Sequence, residues 1–381
     1  VAVGPAGEII KPVPEGMDDW THLYHSPDNN TQSLDVHAKA PYLTQFIANP
    51  QYAPAPQAAV TAGGRVFKAY GNVAWHEREE PYLNTLVAYN GYNGSVLWKH
   101  TLPEGMMVHR STFVATPETL FIGDDQSCKM LDAATGELQD EIKPPQELTG
   151  GTFWKWMALQ DNILYALIGS PEMKDEAKRW RRQAHGWPWN EISQGHNQPV
   201  QPWGFGRCLL AIDPRTKQVL WHHQEEEPID ARAICMSRNR VFAFRFDSFL
   251  TCLDAKTGEV VWRRTRDNAP ESFEALGRQL HRQGWETNWR TVAFLKCSND
   301  ALFFAGPQVS KLLVVSTEDG RVLWEDPYDN YQLVIRPDGL YAISGPWGKN
   351  VSRKFDPLTG KVLAELPVGR RACTRPTGTC D

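Results

Sequence analysis

LTCLDAKTGEVVW, residues 250–262, decides the fold. Apolar residues alternate through its first half, as on a half-buried strand. Asp254 then offers an Asx-type side-chain bond, and Gly258 tolerates the positive φ that reverses the chain. Trp262 lands on the returning strand. Five other segments repeat this hairpin: LVAYNGYNGSVLW (86–98), KMLDAATGELQDEI (129–142), LLAIDPRTKQVLW (209–221), LLVVSTEDGRVLW (312–324) and SRKFDPLTGKVLAEL (352–366). The turn position falls at Gly94, Gly136, Lys217, Gly258, Gly320 and Gly360. A second strand pair precedes each hairpin, as in STFVATPETLFIGDD (111–125) and RAICMSRNRVFAFRF (232–246). Two hairpins make a four-stranded unit of about forty residues, the period of a β-propeller blade. One blade cannot bury both its faces, so stability has to come from stacked neighbours, with each Trp wedged between two blades.

The rest of the composition suits this reading. The chain has 381 residues, 41% hydrophobic and 22% charged, which excludes a disordered or collagen-like protein. No run of about 18 apolar residues occurs, so no membrane-spanning helix is expected. A net charge of −5 argues against a general nucleic-acid or membrane-surface binder. The 29 Gly and 27 Pro fit many short strands joined by turns, and 15 Trp point to aromatic packing or an aromatic binding surface. Seven cysteines include no CxxC and no CxxCH, so a zinc ribbon, a thioredoxin-like motif and a covalent haem are excluded. Cys128, Cys208, Cys235 and Cys252 stand in apolar strand-like runs and are expected to be buried. Cys373 and Cys380 are the pair placed to form a disulfide in an oxidising compartment.

The D-x-x-T-G-x-x-x-W hairpin resembles the tryptophan-docking repeat of the PQQ-like propellers, which include the quinoprotein alcohol dehydrogenases and the assembly lipoprotein BamB. The likeness covers about residues 57–368. DDWTHLYHSPDNNTQS (18–33), GGRVFKAYG and LNTLVAYNGYNGSVLW are further similar to a planctomycete-type group of PQQ-binding-like propellers. The resemblance implies an all-β propeller of four-stranded blades and a periplasmic or extracellular location, although no signal peptide is visible and VAVGPAGEII reads as a mature or trimmed start. The pattern departs from the family at Asp140 and Ala364, where Trp is expected, and at Lys217, where Gly is expected. The adjacent-cysteine pair of the alcohol dehydrogenases is absent.

Six units are countable. RRACTRPTGTCD, after the sixth, begins like another innermost strand, and HLYHSPDNN and APYLTQFIA near the start offer material to complete a blade with it. Seven blades are therefore expected, with eight as the rival if the natural chain continues beyond Asp381. Residues 1–56 form an N-terminal segment packing on the propeller. Residues 57–381 form the propeller, with helical insertions near 171–203 and 267–287. The first insertion is also a candidate surface for protein partners.

Innermost strands line the axis, and ligands of propellers gather where those strands begin. The residues at these starts are rich in cations and aromatics: Arg110, Trp154, Lys155, Arg232, Trp289, Arg290 and Arg371. Converging cations call for an anion, and Trp faces suit a sugar or quinone ring. His109, beside Arg110, is the candidate acid–base group. His22, His25 and Asp28 have a spacing that suits a metal.

Four functions follow. The first is a binding propeller whose basic, aromatic funnel takes an anionic small molecule or acidic carbohydrate. The second is a PQQ-dependent oxidoreductase; the family implies Ca²⁺ with the quinone, and no clear ligand set for it stands in the sequence. The third is a uronate lyase, by fold-level analogy. The fourth is a non-catalytic scaffold subunit.

Overall fold

In the computed structural model the described residues are 12–37, 56–71, 76–103, 110–169, 204–278, 293–306, 311–327, 330–344, 351–367 and 377–379. Residues 2–4, 7–9, 53, 54, 108 and 309 are also described. They form six four-stranded antiparallel sheets and a short two-stranded hairpin at the start. In each of the six sheets the strands follow chain order, innermost first. Blade 1 comprises Pro56–Ala62, Arg65–Tyr70, Thr85–Asn90 and Val96–Thr101. Blade 2 comprises Phe113–Ala115, Thr119–Gly123, Cys128–Asp132 and Leu138–Ile142. Blade 3 runs from Phe153–Gln160 to Val219–Asp230, blade 4 from Ile234–Ser237 to Val260–Thr265. Blade 5 runs from Leu295–Cys297 to Val322–Asp326, and blade 6 from Asn330–Arg336 to Val362–Leu366. The fold is the β-propeller that the repeat predicts.

The core lies between the blades. Both faces of a blade are apolar, and each seam has its own buried cluster. Phe67, Leu86, Phe113 and Ile122 fill the seam between blades 1 and 2; Val114, Phe121, Trp154 and Met157 fill that between 2 and 3. Trp156, Leu209, Ile234 and Met236 close blades 3 and 4, and Cys235, Phe242, Leu295 and Phe304 close blades 4 and 5. Burial on alternate faces of one strand is what the period of two requires.

At the rim each Trp docks on the next blade's turn. Trp98 Nε1 donates to Ala133 O (3.2 Å), Trp221 to Ala255 O (2.8 Å), Trp262 to Thr317 O (3.0 Å) and Trp324 to Pro357 O (3.0 Å). The ring lies on the turn glycine: a Cβ on Gly258 would stand 2.6 Å from Trp221, and one on Gly360 2.5 Å from Trp324. Glycine is therefore needed twice over, for the left-handed φ (74° at Gly258) and for the room. The Asp of the turn does what the sequence predicts: Asp254 Oδ1 accepts the Lys256 and Thr257 N–H groups at 2.8 and 3.0 Å.

The two departures in units two and three are one feature. By the docking order, position 140 of blade 2 faces position 217 of blade 3. Lys217 Nζ bonds the Asp140 carboxylate there, in place of Trp on Gly. Lys217 still adopts φ 61°, the conformation the hairpin requires.

The N-terminal segment forms a belt at one end of the axis, touching the innermost strands in turn. Thr61 N–H donates to Trp20 O (2.7 Å), Ala115 N–H to Thr21 O (3.0 Å) and Leu159 N–H to His22 Nε2 (3.0 Å), which covers blades 1 to 3. Met236 N–H donates to Pro27 O (2.9 Å) and Cys297 N–H to Asp28 O (3.1 Å), for blades 4 and 5. Asn30 pairs through its amide with both backbone groups of Ile335 in blade 6 (2.8 and 3.0 Å). Gly378 N–H then donates to Thr31 O (2.8 Å), at the place in the series that a further innermost strand would take. Each contact falls near the far end of its strand. The belt thus pairs backbone donors that the strand edges would otherwise turn towards the axis.

Candidate functional site

Strand direction sets the two ends of the axis apart. Where the belt lies, the connections are tight turns such as Gln160–Ile163, Ser237–Arg240 and Arg336–Gly339, together with the Trp-bearing hairpins. The longest connections leave and return at the other end, here called the mouth: those between Tyr70 and Thr85, Gly169 and Phe205, Thr265 and Leu295, and Ser344 and Ser352. Loop variation on a rigid scaffold is how propellers and barrels carry function, so the mouth is the candidate site.

Between mouth and belt lies a cavity of about 20 Å³, bordered by Leu23, Tyr24 and Pro27 from the belt side and Phe113, Trp156 and Met157 from the blades. Tyr24 reaches up to accept the Ala293 N–H on its hydroxyl oxygen at 3.0 Å. That volume suits a water molecule or two. A sugar or quinone ring has to sit above it.

Three of the candidates expected at the strand starts are described with their side chains. Arg232 lies in the 3-10 turn Ala231–Ala233 that leads into the innermost strand of blade 4. Its guanidinium is 1% exposed and is held by Asp230: Nε to Oδ1 at 3.0 Å, Nη2 to Oδ2 at 2.7 Å. Asp230 Oδ1 also accepts the Arg232 N–H at 2.9 Å. The sequence reading offered Arg232 to a ligand, but here a carboxylate of its own chain neutralises it. A buried cation at a strand start needs such a partner.

Lys155 also lies at a strand start, on blade 3, where the register with the second strand slips between Trp154 and Trp156. Such a bulge re-aims the side chain it carries. Lys155 Nζ stands 3.8 Å from the centre of the Phe153 ring, and the residue is 1% exposed. Gly169 makes room for it, since a Cβ there would meet Lys155 Cε at 2.9 Å. Trp154 departs from the sequence reading. It is fully buried in the seam between blades 2 and 3, where its ring serves packing and presents no face to a ligand.

Arg110 begins the 3-10 turn Arg110–Thr112 ahead of blade 2, the counterpart of the Arg232 turn. Its side chain lies outside the described residues, as do His109, Trp289, Arg290 and Arg371, the insertion 171–203, and Cys373 and Cys380. Of the second insertion, the helix Pro270–Leu276 is described.

The proposed metal ligands are committed elsewhere. His22 Nε2 accepts the Leu159 N–H, which leaves Nδ1 to carry the proton and donate to Thr21 Oγ1 at 2.8 Å. Burial, reinforced by nearby His25, pushes the His22 pKa down to about 3, so the ring is neutral. His25 Nε2 bonds Asp18 Oδ2 at 2.7 Å. Asp28 Oδ1 accepts Ser26 Oγ (2.6 Å) and the Asn30 N–H (2.8 Å), while burial raises its pKa. Among the described residues no three His, Cys, Asp or Glu side chains form a metal-holding group. These residues build the belt, and the spacing that suggested a metal reflects its one-contact-per-blade path.

Sequence reasoning missed Asn29 and Lys296. The Asn29 amide donates to Ile234 O (2.7 Å) and Leu295 O (2.9 Å), clamping blades 4 and 5, and the buried Lys296 donates to Asn29 O at 2.8 Å. Asp28-Asn29-Asn30 carries the signal of a plain turn, and the blades it joins are far off in sequence.

Comparison with known proteins agrees with the repeat. A family profile described as outer membrane protein assembly factor BamB matches residues 206–375. A quinoprotein ethanol dehydrogenase of Pseudomonas putida is 38% identical over 133 residues, 32% of this chain and 19% of that protein. Quinoprotein alcohol dehydrogenase PedE of Pseudomonas putida is 29% identical over a stretch of the same size. The chain thus matches about a fifth of the length of these relatives. Among solved structures, the computationally designed Ika8 protein aligns with a TM-score of 0.52 at 12% identity, over 86% of this chain and 78% of that one. BamB of Moraxella catarrhalis aligns with a TM-score of 0.41 at 14% identity, over 75% of this chain and 66% of that one.

Proposed function

Because this chain is a PQQ-like repeat protein folded as a β-propeller, we propose that it is a binding propeller that takes an anionic ligand, a carboxylated sugar or a quinone-like acid, at the mouth. The observation that carries this reading is the asymmetry of the axis. The belt and the tight turns occupy one end, while the strand ends that flank the longest connections lie at the other. A ligand has one end from which to approach. Lys155 is buried at the start of the innermost strand of blade 3, and this reading expects it to favour an anion at that end. Arg110, Trp289, Arg290 and Arg371 are the further contacts this reading expects.

The names of the relatives favour a second reading, a PQQ-dependent oxidoreductase. The described residues do not fit that cofactor with its calcium. They supply no metal-holding group, the sequence has no adjacent cysteines, and the axial cavity admits little more than water. The assembly-factor description of the matching family supports a periplasmic or extracellular location. Among the described residues no helix is long and apolar enough to cross a membrane.

Calorimetric titration of the full chain with polygalacturonate and, separately, with pyrroloquinoline quinone tests the proposal. Binding of at least one is expected, with Lys155→Met weakening it by about tenfold or more, the worth of one charge-assisted contact. Silence towards both probes, or binding indifferent to Lys155→Met in a folded variant, rejects the mouth as an anion site. Dye-linked alcohol oxidation restored by the quinone with Ca²⁺ would favour the second reading.

A further inference from the structure

The seam between blades 4 and 5 brings two cysteines face to face. Asn29 donates to the carbonyls of both Ile234 and Leu295, which puts these residues on one rung of neighbouring innermost strands. Side chains alternate along a strand. Cys235 is one residue past the rung and Cys297 two past it, so they point opposite ways along their own strands, and therefore towards each other. Burial agrees. Cys235 and Cys297 share the apolar core between blades 4 and 5, whereas Ile234 and Met236 belong to the core on the other side of blade 4. Both cysteines are free thiols, with 0% and 1% of their surface exposed. Burial holds the Cys297 thiol well above its ordinary pKa, and neighbouring Cys235 adds to the shift.

We propose that Cys235 and Cys297 are a built disulfide site, closed by exchange with a donor disulfide and stapling blade 4 to blade 5 beside the axis. One cysteine, as its thiolate, attacks a sulfur of the donor; the donor S–S bond breaks, one donor thiol leaves, and a mixed disulfide forms. The second cysteine gives up its proton and attacks the protein sulfur of that mixed disulfide. The Cys235–Cys297 bond forms as the second donor thiol leaves. The protein loses two electrons and two protons, and the donor disulfide takes them up as two thiols.

In the closed seam the pair is covered. Cys297 N–H is bonded to Asp28 O at 3.1 Å, and its Sγ lies 4.0 Å from the same oxygen. The exchange therefore precedes the seating of the belt, during folding in an oxidising compartment. The loop it closes contains the last three strands of blade 4, so the staple restrains that blade from opening out of the ring. This inference is independent of the ligand proposed at the mouth.

The test is to refold the full chain from the reduced, denatured state in a mixture of oxidised and reduced glutathione, alkylate free thiols, digest, and analyse the peptides by mass spectrometry. The expected result is a linked pair of peptides carrying Cys235 and Cys297, neither alkylated. The oxidised chain should also melt several degrees above the same chain after reduction. Full alkylation of both cysteines, or linkage of either to another cysteine, overturns the proposal. Cys297→Ala should abolish both the linked peptide and the redox dependence of Tm. Cys208→Ala, a buried cysteine in the seam between blades 2 and 3, should leave both in place. If Cys297→Ala does not fold, the peptide map of the unsubstituted chain decides.

Discussion

At the rim between blades 3 and 4, Trp221 lies on Gly258 and donates to Ala255 O; at the same place between blades 2 and 3 stand Asp140 and Lys217. The Trp is 8% exposed, whereas the Asp140 and Lys217 side chains are 44% and 42% exposed. An ion pair in water gains little, because solvent screens it and two long side chains must be held in place. A buried indole gains from its area, its packing and its bonded N–H. The seam between blades 2 and 3 therefore rests on its interior, where Trp154 is fully buried near the axis, as Trp156 is buried in the seam between blades 3 and 4. The comparison teaches that the rim clamp is replaceable so long as the interior of the seam is filled.

The sharpest way to break this comparison is Trp221→Ala. Loss of a buried indole should cost about 3–5 kcal/mol, read as a lower midpoint in urea unfolding. A loss no larger than that from Asp140→Ala would remove the distinction between the two rims. Next is Asn29→Ala, which leaves the Ile234 and Leu295 carbonyls without their donor at the axis. Unfolding should show a loss of about 2 kcal/mol, which would establish that the belt as well as the rim holds blades 4 and 5.

Acid probes the same belt at blade 3, the blade shared by the two seams compared. His22 takes up its proton at about 3 in the fold against an ordinary value of 6.5, so below 6.5 the unfolded chain binds a proton that the folded chain refuses. Stability should fall as the pH drops from 6.5 and level off below about 3, with a loss of about 2 kcal/mol by about pH 5. His22→Gln should flatten that part of the profile; an unchanged slope would mean that His22 is not held neutral. The smallest effect is expected from Asp140→Ala, with a unfolding midpoint close to that of the parent protein. A large shift there would promote the ion pair to a true substitute for the Trp.

Much of this architecture was legible in the residues. Gly94, Gly258 and Gly320 mark turns whose chemistry is complete within a few positions, and the Trp four residues on identifies the repeat. Asp140 and Lys217 looked like two separate defects. They were readable as a pair, had the position after each Gly been set against the turn of the following unit. The mouth was less legible. Lys155 was placed at a strand start correctly, but neighbouring Trp154 turns into the seam, because successive residues on a strand face opposite ways and a slip of one in the register exchanges their roles. Arg232 was found as a cation, while its neutralisation by Asp230, two residues away, went unread. The belt was misjudged most. HLYHSPDNN has the composition of a turn and the spacing of a metal motif, and its partners lie in four blades spread along the chain.

What the residues settle unaided is local: alternation makes the strands, Asp and Gly turn them, and the period of the repeat demands a ring of stacked blades, because no blade covers its own two faces. The three-dimensional structure adds what depends on groups distant in sequence. It shows that residues 18–33 occupy one end of the axis, that a charge pair replaces a docked indole at one rim, and that Cys235 looks across a seam at Cys297. Backbone donors on an innermost strand carry no side-chain signature, so the partner that satisfies them becomes visible after the blades have been brought together.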